Sequence, residues 1–318
     1  MWNKGLVLLY GNLGDFVSVY RSTLQENVDG ALSSVFFEIE RGYTMIYKEI
    51  PIQADGSAEY ARLQVYIQDT PHDGSLKVKK RPLILICPGG GYERTSYREG
   101  EPTALHFLSR GYHACVLRYS VAPVRFPVQV LEVGQAFEII RENAGAWNVD
   151  MERIVVQGSS AGGHLAACYG AFWNQDFLQA GAKGQEGAGK PRGIMLSYPV
   201  ITADPEYAHI GSFKSLLGED YEAQAEKVSV EKQVTKAMPP CFIWHTMEDS
   251  AVPVENSLML TAKLHREGIP AELHIFPEGE HGLSLASPVV ERENGQGIQA
   301  ECARWIELAD AWLERLFE

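Results

Sequence analysis

The hydrophobic pattern changes period along the chain, and each change marks an element. Leu83-Ile84-Leu85-Ile86-Cys87, Ile154-Val155-Val156 and Cys241-Phe242-Ile243-Trp244-His245-Thr246 are apolar runs too short for helices, and they read as buried strands. Ala271-Glu272-Leu273-His274-Ile275-Phe276 alternates, as a half-covered strand does. Further strands are predicted near 43–50, 60–67, 113–119 and 193–199. Helical stretches fall between them: an amphipathic one at 127–147, one following residue 160, and others near 254–267 and 299–317. Strands alternating with helices predict an α/β fold, a mostly parallel central sheet with helices on both faces. Two stretches break the rhythm. Gln179 to Gly193 is rich in Gly, Ala and Lys and reads as a surface loop, and 203–238 reads as short helical pieces. No internal repeat is evident.

The chemistry concentrates at strand ends. Gly158-Ser159-Ser160-Ala161-Gly162 is a G-x-S-x-G motif directly after Ile154-Val155-Val156, and Gly163-His164-Leu165-Ala166-Ala167 continues as a helix. A strand flowing through this motif into a helix makes a sharp turn, the nucleophile elbow. The spacing selects Ser160, midway between the two glycines, over Ser159, which reads as a small packing residue. A serine hydroxyl needs a base, and the base needs a carboxylate to orient it. Asp249 follows the strand ending at Thr246, and His281 follows the strand ending at Phe276, in a loop before Gly282. Parallel strands share their C-terminal edge, so the three are expected together.

Each has rivals. Glu248 adjoins Asp249 and reads as a solvated loop carboxylate; Asp249 is preferred because it precedes the turn Ser250-Ala251-Val252-Pro253. Of the nine histidines, His164 reads as a helix packing residue, His245 as a support for the acid loop, and His274 as a strand residue. His72, His106, His113, His209 and His265 carry no placement signal. The tetrahedral intermediate of acyl transfer also requires N–H donors. Pro88-Gly89-Gly90-Gly91-Tyr92, at the end of the strand 83–87, offers a glycine loop that a backbone needs for close approach.

These segments together resemble the serine esterases of the α/β-hydrolase superfamily that include acetylxylan and feruloyl esterases. The resemblance runs through the glycine loop, Leu117-Arg118-Tyr119-Ser120-Val121-Ala122-Pro123, the elbow and its helix, Pro239 to Pro253, and Glu272 to Ala286, covering roughly residues 45–318. It implies an α/β-hydrolase fold in which the 203–238 insertion forms a small cap over an open cleft. It also implies Ser160 as nucleophile, His281 as general base and acid, and Asp249 as its orienting partner. Gly90, Gly91 and Ala161 would supply the oxyanion N–H groups. Pro88 stands where the HGGG-type loops have histidine, and Ser159 where these esterases often carry a bulkier residue. The expected substrate is a short acyl ester on a sugar, acetyl first, with no cofactor. Tyr92, Glu93, Arg94 and Tyr97 follow the glycine loop; Tyr92 either stacks on a sugar ring or serves as a core or surface aromatic.

Composition narrows the classes. A net charge of −13 argues against nucleic acid and acidic membranes. H-E-x-x-H is absent, and the five cysteines match no zinc spacing, so no metal is expected and a reduced, cytoplasmic setting is. Leu6 to Tyr10 is too short an apolar run for a signal peptide, and no run is long enough to span a membrane. Residues 1–44 are expected to be an N-terminal extension to a catalytic domain at 45–318. Leu13, Phe16, Val17, Tyr20, Leu24 and Val28 fall at helical spacing there, as a packing stripe or as a homodimer contact arm. An extension of this size cannot build the propeller of a prolyl-oligopeptidase-type peptidase. A general short-chain or aryl esterase and a non-catalytic binding protein remain the other readings.

Overall fold

Continuous apolar runs suit strands covered on both faces, and alternating runs suit edges. The computed structural model follows that division; it describes residues 45–69, 77, 80–179 and 189–318. The helical stripe from Leu13 to Val28 lies outside the described residues, as do residues 180–188 of the Gly-rich stretch.

Eight strands form one sheet: β1 (Ile46–Pro51), β2 (Arg62–Ile67), β3 (Arg81–Cys87), β4 (His113–Arg118), β5 (Val149–Ser159), β6 (Gly193–Ser197), β7 (Cys241–Thr246) and β8 (Ala271–Phe276). Their order is β1-β2-β4-β3-β5-β6-β7-β8. The β1–β2 and β2–β4 pairs are antiparallel, and every pair from β4–β3 to β7–β8 is parallel. The central strands β4, β6 and β7 are buried along their whole length, while β1 and β8 at the edges are partly exposed.

The helices are α1 (Glu101–Ser109), α2 (Val128–Trp147), α3 (Ala161–Phe172), α4 (Asp176–Gln179), α5 (Ile210–Leu217), α6 (Tyr221–Gln224), α7 (Val230–Gln233), α8 (Glu255–Arg266), α9 (Ala300–Ala303) and α10 (Trp305–Phe317). Two core layers sandwich the sheet. One gathers Val130, Val133, Phe137 and Ile140 of α2, Leu165 of α3 and Leu260 of α8 against Leu83, Leu85 and Val156. The other gathers Phe107 of α1 and Trp305, Ala309 and Leu313 of α10 against Ile84, Ile86 and Trp244. Trp244 and Trp305 stack there at 5.3 Å and 17°. Asn148, at φ 54°, ends α2 in the left-handed cap conformation that lets the chain turn straight into β5.

The structure departs from the expectation at two elements. The helix read over 299–317 is divided into α9 and α10. Helix α1 was not anticipated, although its Glu101-Pro102 start carries an acidic first turn and an early proline. It matters because it fixes the loop that leads to it from the glycine turn. The segment between β6 and β7 does form a small cap of short helices, α5 to α7.

Candidate active site

The elbow is built by close backbone contact. Ser160 stands between the end of β5 and the start of α3 at φ 54°, ψ −121°. A non-glycine residue there stores about 1–3 kcal/mol of strain, so the surroundings must hold it. They do: Ser160 N–H donates to Ser197 O at 3.0 Å, and Ser160 O accepts from His164 N at 3.0 Å and Val200 N at 3.1 Å. The flanking glycines are required because a Cβ on Gly158 would lie 2.1 Å from Gly162 O, and one on Gly162 2.0 Å from Cys87 O. Ser159 turns away, its Oγ accepting from Gln157 Nε2 at 3.1 Å.

Ser160, Asp249 and His281 come together from three strand ends. Ser160 Oγ lies 2.8 Å from His281 Nε2, and His281 Nδ1 lies 2.6 Å from Asp249 Oδ2. An ionised carboxylate only accepts, so His281 Nδ1 carries the proton and Nε2 is free to accept from the serine hydroxyl. Asp249 is itself well supported. Its Oδ1 accepts the N–H groups of Ala251 at 3.0 Å and Val252 at 2.9 Å, and His245 Nε2 sits 3.2 Å from Oδ2. Burial pushes its pKa up. The hydrogen bonds from His245 and His281 and the Val252 N–H outweigh that and hold it well below the usual carboxylate range. His245 therefore does what its position implied, and it is oriented in turn by Ser257 Oγ at 2.8 Å. Glu248 is exposed and, among the described residues, accepts only a long 3.4 Å contact from Gly279 N.

The glycine loop faces this group. Gly90 and Gly91 adopt φ 130° and 67° and line a cavity of about 300 Å³ with Ser160 and His281. Neither N–H is committed to an acceptor among the described residues. Ala161 is the first residue of α3, so no preceding turn accepts its N–H, and the positive end of the helix dipole lies at Ser160.

Tyr92 is a correction. Only 1 % of it is exposed, and it does not line the cavity. Its φ of 59° turns the ring inward, where its hydroxyl meets His164 Nδ1 at 2.8 Å. His164 Nε2 donates to Val228 O at 2.7 Å, so Nδ1 accepts from the tyrosine. Tyr92 thus belongs to the alternative of a core aromatic, pinning the cap side of α3.

Glu99, Arg98, Arg292 and His209 line the cavity but carried no assigned role in the sequence. Glu99 is buried at the cavity floor, where Oε2 accepts Gly89 N–H at 3.0 Å and Oε1 accepts from Tyr198 Oη at 2.7 Å. Tyr198 Oη also accepts Ser284 N–H at 2.8 Å, so this carboxylate links the glycine loop to the histidine loop. Arg98 Nη1 and Arg292 Nη2 converge on Gly282 O at 2.9 and 3.4 Å. His209, at the start of α5, brings the cap into the wall; burial and then the nearby His281 lower its pKa. Only the post-strand loops signal such a wall in sequence. Among the described residues no cluster of His, Cys, Asp or Glu is arranged to hold a metal, and no helix is long and apolar enough to cross a membrane.

This geometry can be set beside known proteins. Residues 72–264 match the model of the BD-FAE family. The chain belongs to the BD-FAE family. That places it with the serine esterases of the carbohydrate-esterase branch, on the α/β-hydrolase fold that the sheet and its covering helices display. The chain is 39% identical over 213 residues to endo-1,4-beta-xylanase B of Butyrivibrio fibrisolvens, covering 65% of this chain and 33% of that protein. It is 27% identical over 210 residues to an acetylxylan esterase of Xylanibacter ruminicola, covering 64% of this chain and 41% of that one. The chain therefore spans well under half the length of these two relatives. Among solved structures, the acetyl ester-xyloside bifunctional hydrolase of Caldicellulosiruptor lactoaceticus aligns with a TM-score of 0.71 at 35% identity, covering 85% of this chain and 96% of that one.

Proposed function

We propose that this BD-FAE protein is a serine esterase that removes short acyl groups, acetyl first, from xylo- or related oligosaccharides. The observation that carries the reading is the hydrogen-bonded chain Ser160 Oγ–His281 Nε2 at 2.8 Å and His281 Nδ1–Asp249 Oδ2 at 2.6 Å, at the floor of an open cavity. Ser160 attacks the ester carbonyl while His281 Nε2 takes its proton. Asp249, held ionised by its donors, keeps the imidazole in the required tautomer and stabilises the imidazolium. The developing oxyanion is met by N–H groups from Gly90, Gly91 and Ala161. His281 then returns the proton to the leaving alcohol, forming an acyl-enzyme. Water activated by the same nitrogen attacks it and releases the acid.

The lining supports a sugar over a lipid: Glu93, Arg94, Ser96, Arg98 and His209 surround the cavity, and hydroxyl groups need such donors and acceptors. The names of the xylan-related proteins it resembles point the same way. The test is acetate release from acetylated xylo- and manno-oligosaccharides and from an aryl acetate, with native protein and Ser160→Ala. Release from the sugars by the native protein alone, faster than from the aryl acetate, supports the reading. Cleavage of the aryl acetate with none of the sugars would leave a general esterase.

A further inference from the structure

Beside the catalytic cavity lies a shelf of about 640 Å³ lined by Arg94, Thr95, Ser96, Tyr97, Arg98 and Arg292. Arg94, Ser96, Arg98 and Arg292 also line the cavity that holds Ser160, so the two spaces are continuous along one wall. Half of the shelf's residues are arginine and none is acidic. That composition runs against the rest of the molecule, where Asp and Glu number 41 against 28 Lys and Arg.

The arginines differ in how far their charge is spent. Arg98 donates from Nε to Val290 O at 2.7 Å and from Nη1 to Gly282 O at 2.9 Å. These are neutral carbonyls, so its geometry is fixed without a direct ion pair, while Glu99 and Glu280 lie near enough to act on its charge. Arg292 is similarly fixed on His281 O at 3.0 Å, and Glu280 lies 3.4 Å from its Nη1, a loose contact. Arg94 makes no ion pair or side-chain hydrogen bond among the described residues, and its side chain is exposed. Tyr97 completes the shelf. The Arg118 guanidinium covers one ring face at 4.6 Å, and 78 % of the residue remains exposed.

We propose that this shelf binds a carboxylate-bearing sugar, a uronic-acid residue of the acylated oligosaccharide. Arg94 supplies the direct contact, and Arg98 and Arg292 supply the surrounding positive field. The planar guanidinium fork matches a carboxylate, and the open face of Tyr97 offers a platform for a sugar ring. A neutral sugar would leave Arg94 without a counter-charge among the described residues. The inference rests on the sugar-ester reading above and adds a preference for acidic over neutral substrates.

The test compares two acetylated xylo-oligosaccharides that differ only by a glucuronic acid branch. Native protein, Arg94→Gln and Arg94→Lys are assayed at low salt and at 1 M salt, where the screening length is about 3 Å. We expect native kcat/KM for the acidic substrate to exceed the neutral one by roughly tenfold at low salt, as a charge-assisted contact provides. The ratio should shrink in 1 M salt, approach one in R94Q, and be only partly retained in R94K, which keeps the charge but loses the fork. A native ratio near one with both substrates cleaved overturns the shelf and leaves the esterase reading intact. A ratio that persists unchanged in R94Q overturns the role of Arg94. Cleavage of neither sugar, with an aryl acetate still hydrolysed, defeats the sugar reading and the shelf with it.

Discussion

The two walls of the cleft are held by different means. On one wall, Ser160, Asp249 and His281 hang from the ends of β5, β7 and β8, strands locked to one another or to β6 in parallel register. On the other, the glycine loop and the 93–99 segment are held by side chains that reach across the sequence. Glu99 bridges Gly89 and Tyr198, Tyr198 bridges onward to Ser284, and Arg98 reaches Val290 and Gly282. The strand-end wall positions atoms through the ladder. The loop wall positions them through one buried carboxylate and a phenol, so single substitutions there should loosen geometry without removing a reacting group.

That difference orders the expected effects. Ser160→Ala removes the proposed nucleophile and should lower kcat by on the order of 10⁵–10⁶, read by acetate release. Asp249→Asn keeps the shape of the acid but favours the wrong imidazole tautomer, and about 10⁴ should be lost from kcat. Glu99→Ala touches no reacting atom. It should cost roughly 10–100-fold in kcat with KM little changed, less than the 10²–10³ typical of deleting an oxyanion donor outright. Pairing it with Tyr198→Phe sharpens the comparison: if the two act through one bridge, the double variant should lose little more than Glu99→Ala alone. Additive losses would mean that the walls are not linked by this pair.

The smallest effect is one of stability. Burial holds the pKa of His113 and His164 at about 4, against 6.5 for the free side chain. Between those values the unfolded chain binds a proton that the folded protein refuses, so stability should fall as pH drops from about 6.5 to 4. Each histidine contributes a slope of about 1.4 kcal/mol per pH unit within the window. Thermal melts should show Tm declining over that range, and His164→Gln should make the decline shallower. An unchanged slope would locate the acid sensitivity elsewhere.

The same division explains what could be read from the chain. The mostly parallel α/β sheet, the elbow and all three triad candidates follow from local signals: apolar runs, a glycine-flanked serine, and an acid and a histidine just past strand ends. Each depends on residues adjacent in sequence. Glu99 and Arg98 were not legible because their partners lie up to 192 positions away, and a surface glutamate or arginine carries the same local pattern. Tyr92 was ambiguous for a related reason. Its position after the glycine loop allowed cleft or core, and only its φ of 59° and the His164 acceptor beneath it select the core.

An activated Ser160 should react with a fluorophosphonate probe, the labelled peptide being located by mass spectrometry in native protein, Ser160→Ala and Asp249→Asn. One label per chain is expected on Ser160, none in Ser160→Ala, and much slower labelling in Asp249→Asn. Folded native protein that takes no label, or takes it on Ser159, would contradict an activated Ser160.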